Sequence, residues 1–413
     1  MFEKFENAIQ HTPFESLHVN TQKFLHVKAD ELRLSFSQIR NLIEIAIDLQ
    51  MWNEGSLEDF WEETNDKKQT LLHVKKIYDE LKQKPKTYPK TAPKNEVHKI
   101  NFATTAKENL GLGSCPVASP KTRCCNLMTL DAVESCGFDC SYCSIQSFYN
   151  QNTITFDTKF KEKLQKLKLD PDKTYHIGTG QSSDSLMWGN KNGILEALLE
   201  FARQNPNVIL EFKTKSDNIS YLLENEVPKN ILVTWSLNPQ TIIDNEEKLT
   251  ASLETRIGSA RKLADKGILV GFHFHPIIVY KNYEKEYEAI VKTLLETFTC
   301  KEVALVSMGT LTFIKPVLKK LRQRAISSKI LQMPLIDASG KLSYPLETKQ
   351  HMFSMLYNAF APWHKKVFFY MCMEDISLWK SVFGYEYKDN DAMEEAMKNA
   401  YMEKIHSLKK EEQ

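Results

Sequence analysis

The sequence has no long apolar run and no excess of charge of either sign. No stretch approaches the roughly 18 consecutive apolar residues that cross a bilayer. The first residues, MFEKFENAIQ, are charged and lack the small-residue cleavage site of a signal peptide. Lysine and arginine number 54 against 53 aspartates and glutamates, a net charge of +1. We therefore expect a soluble cytoplasmic protein with no membrane partner, in which any nucleic-acid site must be local.

Several common catalytic motifs and sequence repeats are missing as well. The sequence contains no P-loop, no G-x-S-x-G elbow, no H-E-x-x-H helix and no internal repeat. A disordered chain is excluded by 42% hydrophobic and 10% aromatic residues. A chain of 413 residues has the length for about two or three domains with buried cores.

Helical spacing of apolar residues marks the first part of the chain. QIRNLIEIAIDLQMW and LLHVKKIYDELKQ show this spacing, so residues 1–81 are predicted to form an accessory helical domain. Residues 82–107 contain seven lysines, three prolines and one acidic residue, Glu96. Such a segment buries little apolar surface and is predicted to be a solvated linker, with a basic strap along a phosphate backbone as the alternative.

Beyond residue 107, short β-rich runs alternate with helical ones. The predicted strands are NLMTLDAV, TYHIGTG, NVILEFKTK, NILVTWSLN, ILVGFHFHPII and EVALVSMG, with segments such as GILEALLEFARQ between them. This alternation predicts an α/β fold with parallel strands, either an open doubly wound sheet or a full or partial barrel, with its active site at the carboxyl ends of the strands. We place this array at 108–335, a small α/β cap containing KVFFYMCM at 336–390, and a charged helical tail at 391–413.

Six of the eight cysteines lie close together in the sequence. Disulfide scaffolds are typical of short secreted chains, so this cluster indicates metal ligation or redox chemistry instead. Cys136, Cys140 and Cys143 follow the first predicted strand, and a compact loop can wrap their sulfurs around one iron–sulfur cube that keeps one iron open. A zinc site with Cys124 or Cys125 as fourth ligand is the alternative, although no second C-x-x-C pair is present.

The C-x3-C-x2-C loop resembles the cluster loop of the radical S-adenosylmethionine superfamily. Later segments are similar to spore photoproduct lyase and its relatives over about residues 110–390: FKTKSDNI, VTWSLNP, RIGSARKLADKGILVGFHFHPII and FFYMCMEDISLWKSVFGY, together with CSYCSIQSFYN and Cys115-Pro116. The resemblance implies a partial (β/α)6 TIM-like barrel of the radical S-adenosylmethionine type behind a helical domain. It also implies a 4Fe–4S cluster on the three loop cysteines.

By the same resemblance, an electron from the cluster cleaves S-adenosylmethionine to a 5′-deoxyadenosyl radical, which abstracts hydrogen from the substrate. The reaction class would be that of a lyase, and repair of a DNA lesion is the leading specific hypothesis. An electron donor such as flavodoxin or ferredoxin would reduce the cluster.

The residues that the resemblance assigns to S-adenosylmethionine lie at the carboxyl ends of successive strands. Tyr142, between the last two cluster cysteines, would lie beside the adenine. Lys215, Ser236 and His275 would lie near the cofactor at the ends of the third, fourth and fifth strands. A glycine-rich turn after the second strand would hold the methionine amino group; its residues are Gly178, Thr179, Gly180, Gln181 and Ser183.

Two positions depart from the photoproduct-cleaving members of that family. Gln181 stands where those members carry a cysteine whose thiol returns a hydrogen atom to the product radical, and Ser144 stands where they carry a tyrosine. An amide has no weak X–H bond to donate, so Gln181 cannot take that role. The substitute donors that we consider are Cys372, Cys115, Cys124, Cys125 and Tyr149.

Two histidines alternate with phenylalanines in the fifth predicted strand. This alternation puts His273 and His275 on one face, which in a barrel lines the lumen. His273 is therefore a candidate for proton transfer or substrate binding, with a hydrogen-bonded core histidine as the alternative.

Rival functions stay open at this point. The enzyme hypothesis also allows radical modification of a small molecule, a peptide or RNA. A catalytically silent paralogue that binds a cluster or S-adenosylmethionine would explain Gln181 and Ser144. A zinc-stabilised nucleic-acid binding module would explain the cysteines and the basic segment, but it does not account for the six predicted βα units.

Overall fold

A computed structural model describes residues 2–64, 66–90, 99–115, 121–145, 149, 152–324, 326–338 and 340–411. Residues 91–98 of the predicted linker, Pro116, residues 146–148 and 150 of CSYCSIQSFYN, and the last two residues of the predicted tail lie outside the described part. Contacts divide the chain into two units. The first comprises Met1–Val97, Val279–Lys281 and Thr312–Pro345, and the second comprises His98–Ile278, Asn282–Leu311 and Leu346–Gln413.

The helices in the described ranges are α1 (Phe2–Ile9), α2 (Val19–Glu31), α3 (Phe36–Trp52), α4 (Lys67–Gln83), α5 (Phe160–Gln165), α6 (Ile194–Gln204), α7 (Ser220–Glu224), α8 (Gln240–Glu246), α9 (Leu253–Asp265), α10 (Tyr283–Thr297), α11 (Lys315–Gln323), α12 (Leu346–Ala359), α13 (Ser377–Phe383) and α14 (Asn390–Glu411). Short 3-10 turns occupy Phe14–Ser16, Lys191–Gly193, Ile330–Gln332 and Ala361–Trp363. None of these helices is long and apolar enough to cross a membrane.

The strands in the same ranges are β1 (Asn101–Thr105), β2 (Leu112–Ser114), β3 (Met128–Leu130), β4 (Val133–Glu134), β5 (Asp139–Cys140), β6 (Thr153–Asp157), β7 (Tyr175–Thr179), β8 (Val208–Thr214), β9 (Ile231–Ser236), β10 (Glu247–Lys248), β11 (Leu269–Ile277), β12 (Val303–Thr310), β13 (Thr312–Ile314), β14 (Ile336–Ala338), β15 (Lys341–Ser343) and β16 (Phe368–Met371).

The first unit is built on helices with local start and stop signals. Ser35 begins α3 with a capping box, in which its hydroxyl accepts from the Gln38 N–H at 3.2 Å and the Gln38 side chain accepts from the Ser35 N–H at 2.8 Å. Asn53 ends the helix in the left-handed conformation, with φ of +56°. A small antiparallel sheet in the order β13-β15-β14 completes the unit.

The second unit centres on one eight-stranded sheet in the order β16-β12-β11-β9-β8-β7-β3-β2. Seven of these strands are parallel, and β2 runs antiparallel at the edge beside β3. All eight residues of β12 are buried, as expected of a strand covered on both faces. The six strands predicted from the sequence are β3, β7, β8, β9, β11 and β12.

The segment KVFFYMCM supplies the seventh parallel strand. β16 pairs with β12, with Leu305 opposite Phe368 and Met308 opposite Met371. The carboxyl end of β16 therefore lies at the same edge of the sheet as the ends of the other parallel strands.

Candidate active site

The cysteine loop is held at the carboxyl edge of the sheet by a short antiparallel ladder. β5 pairs with β10, so that Cys140 lies opposite Glu247 and Asp139 opposite Lys248. The Ser141 N–H donates to the Glu246 carbonyl at 2.8 Å, and the Ser141 hydroxyl donates to the Glu246 carboxylate. The end of α8 and the start of β10 thus fix the backbone between the second and third loop cysteines.

The three loop thiols lie within electrostatic range of one another. Burial raises the pKa of Cys140, and Glu247, Cys143 and Cys136 raise it further, whereas Lys215 lowers it. Burial also raises the pKa of Cys136, against the effect of Lys215. A positive charge that favours the thiolate form is therefore built into the loop's surroundings.

The donor set at this loop consists of three thiols, a ligand type that iron–sulfur clusters use. Within the described ranges, no three His, Cys, Asp or Glu side chains converge on a position that could hold one ion. A closed zinc site needs that convergence. In an iron–sulfur cube the thiolates bind different irons and stay apart, so Cys136, Cys140 and Cys143 are suited to that group.

Glu247 is the hub that joins the cysteine loop to the predicted cofactor residues. The Tyr142 hydroxyl donates to the Glu247 carboxylate, and Lys215 Nζ lies 3.2 Å from Glu247 Oε1. Lys215 Nζ also lies 5.9 Å from the centre of the Tyr142 ring. Burial opposes ionisation of Glu247, but Lys215 and Arg256 hold its pKa well below the usual range.

Buried polar partners complete the hub. Arg256 NH2 lies 2.7 Å from Glu247 Oε2, and Asn238 Nδ2 donates to Glu247 Oε1 at 2.7 Å. Arg256 NH1 donates to the Ser236 carbonyl at 2.8 Å, which ties the end of β9 to the same cluster. Ser236 therefore lies one contact away from Glu247.

The glycine-rich turn begins with Gly178 and Thr179 at the end of β7 and closes tightly against the end of β8. Gly180 has φ of +86°, and a Cβ there would lie 2.6 Å from Ser185 Oγ and 2.9 Å from the Lys213 carbonyl. The Thr179 hydroxyl is 2.7 Å from the same Ser185 hydroxyl. At Gly178 a Cβ would lie 2.9 Å from a Leu127 methyl carbon. Glycine is required at Gly180 by conformation and by close approach together.

Asp184 connects this turn to the end of β8 and to Lys215, which follows it, through hydrogen bonds. Its Oδ1 accepts from Leu186 N–H, Met187 N–H and the Thr214 hydroxyl at 3.0, 2.9 and 2.8 Å, and its Oδ2 accepts from the Lys215 N–H at 2.7 Å. Burial raises the pKa of Asp184 against these bonds. The glycine-rich turn and Lys215 are thus positioned by one buried carboxylate.

Ser183 and Gln181 of the turn, and Tyr149 beside it, differ in their surroundings. The Ser183 hydroxyl accepts from Trp188 Nε1 at 3.3 Å, and Gln181 is partly exposed. Tyr149 hydrogen-bonds to Ser182, and burial together with Asp131 raises its pKa. The structure therefore brings Tyr149 to the glycine-rich turn.

His275 lies near the carboxyl end of β11, and its ring packs on Gly309. A Cβ at Gly309 would lie 2.8 Å from the His275 ring. Burial lowers the pKa of His275 to about 3, and the positive charges of Lys213, Lys215 and Lys349 contribute. The imidazole is therefore neutral at physiological pH, so one ring nitrogen can donate a hydrogen bond and the other can accept one.

His273 belongs to a buried hydrogen-bond chain between strands. Its Nδ1 lies 2.5 Å from Ser307 Oγ, and its Nε2 lies 2.9 Å from Glu211 Oε1 and 3.0 Å from Thr234 Oγ1. Glu211 Oε2 in turn lies 2.8 Å from His176 Nε2. Both ring nitrogens of His273 therefore have protein partners, and burial lowers its pKa.

The sequence did not point to Glu247, Arg256, Asn238 or Asp184. Glu247 lies in the run DNEEKL, where nothing distinguishes it from its acidic neighbours. Asp184 follows the glycine-rich turn, and its pattern of accepting N–H groups two and three residues later is typical of turn aspartates. That local signal could have identified Asp184 as a turn residue.

The sequence matches known proteins over part of its length. Residues 126–335 match the family model described as spore photoproduct lyase. The chain is 30% identical over 182 residues to the spore photoproduct lyase of Clostridium acetobutylicum, covering 42% of this chain and 53% of that relative. It is 23% identical over 207 residues to the one from a Geobacillus species, covering 47% and 59%. The chain thus spans little more than half the length of these curated relatives in sequence.

The fold matches solved structures. A spore photoproduct lyase complexed with dinucleoside spore photoproduct gives a TM-score of 0.55 at 17% identity, covering 86% of this chain and 96% of that one. A mutant spore photoproduct lyase with bound AdoMet and dinucleoside spore photoproduct gives 0.54 at 17% identity, covering 87% and 96%. At such identity the likeness concerns the fold, and it confirms the predicted α/β partial barrel.

Proposed function

The chain belongs to the spore photoproduct lyase family of the radical S-adenosylmethionine superfamily, and from this premise we propose that it cleaves S-adenosylmethionine reductively to start radical chemistry on a substrate. The observation that carries the proposal is the set of contacts that Glu247 makes. The backbone of Glu247 pairs with Cys140 in one antiparallel ladder, and its carboxylate contacts both Tyr142 and Lys215. A predicted cluster ligand and two predicted cofactor residues therefore meet at one place.

Cys136, Cys140 and Cys143 would hold a 4Fe–4S cluster through their thiolates. When bound, the cluster and S-adenosylmethionine would together supply a 5′-deoxyadenosyl radical that can take hydrogen from carbon. Burial raises the pKa of Cys136 and of Cys140, and the positive charge of Lys215 opposes that rise and so favours the thiolates.

The chain's other residues would bind and orient the nucleoside. The Tyr142 ring is held in place by its hydroxyl contact with Glu247 and offers an aromatic surface beside the cysteine loop. Gly180 brings the backbone of the turn close to the end of β8. Neutral His275 adds a hydrogen-bonding group without adding charge.

The substrate that we propose first is a thymine lesion in DNA. The support is the family match and the fold shared with a protein solved with dinucleoside spore photoproduct. A second candidate is radical modification of another substrate, because Gln181 and Ser144 replace the cysteine and tyrosine expected in photoproduct-cleaving members. A flavodoxin or ferredoxin would supply electrons in either case.

The test begins with anaerobic reconstitution, followed by iron and sulfide analysis. We expect about four irons per chain and formation of 5′-deoxyadenosine after addition of dithionite and S-adenosylmethionine. Cys140→Ala should lose both, whereas Cys300→Ala, a thiol outside the cysteine loop, should lose neither. Zinc in place of iron would contradict the proposal. A cluster that does not cleave S-adenosylmethionine would favour the hypothesis of a catalytically silent paralogue.

The identity of the substrate is tested in the same reaction. Dinucleoside spore photoproduct should raise the rate of 5′-deoxyadenosine formation and yield thymidine products by chromatography. Cleavage of S-adenosylmethionine at a rate that the photoproduct does not change would favour the second candidate, which RNA, peptide and small-molecule panels would then test.

A further inference from the structure

The cysteine loop packs against the ring of one tryptophan. A Cβ at Gly137, next to Cys136, would lie 2.8 Å from Trp188 Cη2 and 2.8 Å from Met187 Cε. Glycine at this position therefore permits close contact between the loop backbone and the Trp188 indole. The indole belongs to the layer of side chains directly beside the loop.

Hydrogen bonds around the predicted cofactor residues hold Trp188 in place. Its Nε1 donates to the Ser183 hydroxyl at 3.3 Å. The preceding residue, Met187, donates its N–H to Asp184 Oδ1 at 2.9 Å, and its carbonyl accepts from Asn218 Nδ2 at 3.3 Å. The ring is thus anchored to the same segment that carries the glycine-rich turn.

Two phenylalanines of the small sheet β1-β6-β4 pack edge-on against this indole. The ring centres of Phe102 and Phe156 lie 5.4 and 6.0 Å from that of Trp188, at interplanar angles of 88° and 76°. Phe156 is buried, whereas Phe102 is 53% exposed. Gly137, Trp188 and Phe102 therefore form a continuous path of contacts from the cysteine loop to the protein surface.

A lysine lies over the outer ring of this path. Lys191 Nζ is 3.8 Å from the centre of the Phe102 ring and 5.3 Å from that of Phe156. Lys191 is exposed and forms no ion pair within the described ranges, whereas Lys161 of α5 lies 2.6 Å from a carboxylate. We call the surface formed by Phe102, Trp188 and Lys191 the Phe102 patch. It combines an exposed aromatic ring with an uncompensated positive charge.

The electron that starts the proposed reaction has to come from another molecule. Electron tunnelling slows steeply with distance, so a protein donor must dock where few side chains cover the cluster. Aromatic residues are enriched in protein interfaces, and charges at an interface select a partner of opposite sign. The Phe102 patch meets these requirements for a donor with an acidic surface.

A nucleic-acid strand is the other partner that a lysine would attract. Its bases would need an open aromatic face for stacking. At the Phe102 patch, the Lys191 ammonium group already lies over the Phe102 ring. The arrangement therefore favours the carboxylates of an acidic protein.

We propose that the Phe102 patch is the docking surface for the acidic electron-transfer protein, of the ferredoxin or flavodoxin type, that reduces the cluster. This inference rests on the proposed function, since it needs a cluster on the cysteine loop. One electron passes from the reduced donor to the oxidised cluster, so the donor loses one electron and the cluster gains one. No covalent bond forms or breaks at the patch.

The first experiment maps the contact without turnover. The reconstituted full chain is mixed with ferredoxin, and in a separate arm with flavodoxin, and treated with a carbodiimide that joins a lysine amine to a partner carboxylate. Peptide mass spectrometry should find Lys191 in the cross-linked peptides. Lys191→Arg keeps the positive charge but has no amine to join, so this cross-link should disappear. Cross-links through other lysines without any through Lys191 would overturn the proposal.

The second experiment compares protein donors with a small reductant. Ferredoxin or flavodoxin, kept reduced by NADPH and a reductase, drives 5′-deoxyadenosine formation at limiting donor concentration. Lys191→Glu should lower this rate at least about ten-fold, because the reversed charge repels an acidic donor. Added salt should narrow the difference, and Lys191→Arg should keep the rate. With dithionite, which needs no docking surface, all variants should react equally.

Two further variants test the ring and the specificity of the charge effect. Phe102→Ala should lower the rate with the protein donors and leave the dithionite rate unchanged. Lys292→Glu is the matched control, because it reverses the charge of a lysine that is 78% exposed on α10. It should match the unsubstituted protein with every reductant.

The outcomes separate this inference from the proposed function. Equal rates of Lys191→Glu and the unsubstituted protein with both protein donors would overturn the docking surface and leave the proposed function intact. A loss of photoproduct-stimulated turnover in Lys191→Glu with dithionite would assign the patch to nucleic acid instead. Absence of 5′-deoxyadenosine with dithionite from a protein with a full cluster would overturn the proposed function, whereas the cross-link would still decide where the donor binds.

Discussion

The Tyr142 hydroxyl donates a hydrogen bond to the carboxylate of Glu247, a residue 105 positions later in the chain. The same carboxylate lies 3.2 Å from Lys215 Nζ and 2.7 Å from Arg256 NH2. A buried negative charge that two cations keep ionised therefore fixes an aromatic ring next to the cysteine loop. Removal of one member of such a buried group leaves the others without compensation.

Glu247→Gln should weaken S-adenosylmethionine binding at least about ten-fold, roughly 1.4 kcal/mol. The amide leaves Lys215 and Arg256 without their counter-charge, and its oxygen accepts a weaker hydrogen bond from Tyr142 than the carboxylate does. Equilibrium binding to the reconstituted protein measures the effect. Glu254→Gln, on the exposed surface of α9, is the matched control and should bind as the unsubstituted protein does. Equal affinity in both variants would remove Glu247 from the cofactor site.

Gly180→Ala should lower the free energy of unfolding by about 1–3 kcal/mol, because Ala would be strained at this positive φ. Its Cβ would also lie 2.6 Å from Ser185 Oγ. Gly258→Ala is the control within the same unit. It lies in α9 with no heavy atom within 4 Å of the added Cβ, so it should stabilise the protein by about 0.5–1 kcal/mol. Urea denaturation compares the two, and a neutral Gly180→Ala would contradict the geometry of the turn.

Stability should fall as the pH decreases below 6.5, in part through His275. Burial and nearby positive charges lower its pKa to about 3 in the folded chain, whereas the usual value is 6.5. Between these values the unfolded chain binds a proton that the folded chain does not. The group therefore contributes stability above pH 6.5 that is lost as the pH falls toward 3. The slope from one such group is at most about 1.4 kcal/mol per pH unit.

His275→Gln should flatten that decline when urea midpoints are compared at several pH values. His351→Gln tests an imidazole whose side chain is 62% exposed, and it should leave the slope unchanged. A slope that is identical in all three proteins would show that His275 titrates normally.

Arg322→Met should destabilise the first unit by about 3–5 kcal/mol, the usual result of breaking a buried ion pair. Arg322 Nε and NH2 each lie 2.9 Å from a carboxylate oxygen of the fully buried Asp48, and the Tyr78 hydroxyl donates to the same carboxylate at 2.7 Å. Thermal or urea unfolding measures the loss. Lys75→Met, on an exposed pair within α4, should change the free energy of unfolding by at most about 0.5 kcal/mol.

A double variant separates charge from packing in that pair. Asp48→Leu combined with Arg322→Met removes both charges, so it should recover much of the stability that Arg322→Met loses. If the double variant is as unstable as the single one, packing around Arg322 is responsible for the loss.

The six central strands and the cysteine loop could be predicted from the sequence. Strands and amphipathic helices are read from short periodic patterns, which neighbouring residues specify. Cys136, Cys140 and Cys143 could be predicted as one ligand set because all three lie in one short loop. The glycine-rich turn was visible for the same reason, since Gly180 and its neighbours carry the turn within a few residues.

The contacts between side chains far apart in sequence became known from the three-dimensional structure. Glu247 reaches Tyr142 because β5 and β10 pair in one register, and no local pattern encodes that pairing. Cys372 reaches the carboxyl edge of the main sheet because β16 extends that sheet beside β12. Contacts between polar groups far apart in sequence depend on strand order and register. These follow from the packing of the whole sheet, so a single sequence read locally does not reveal them.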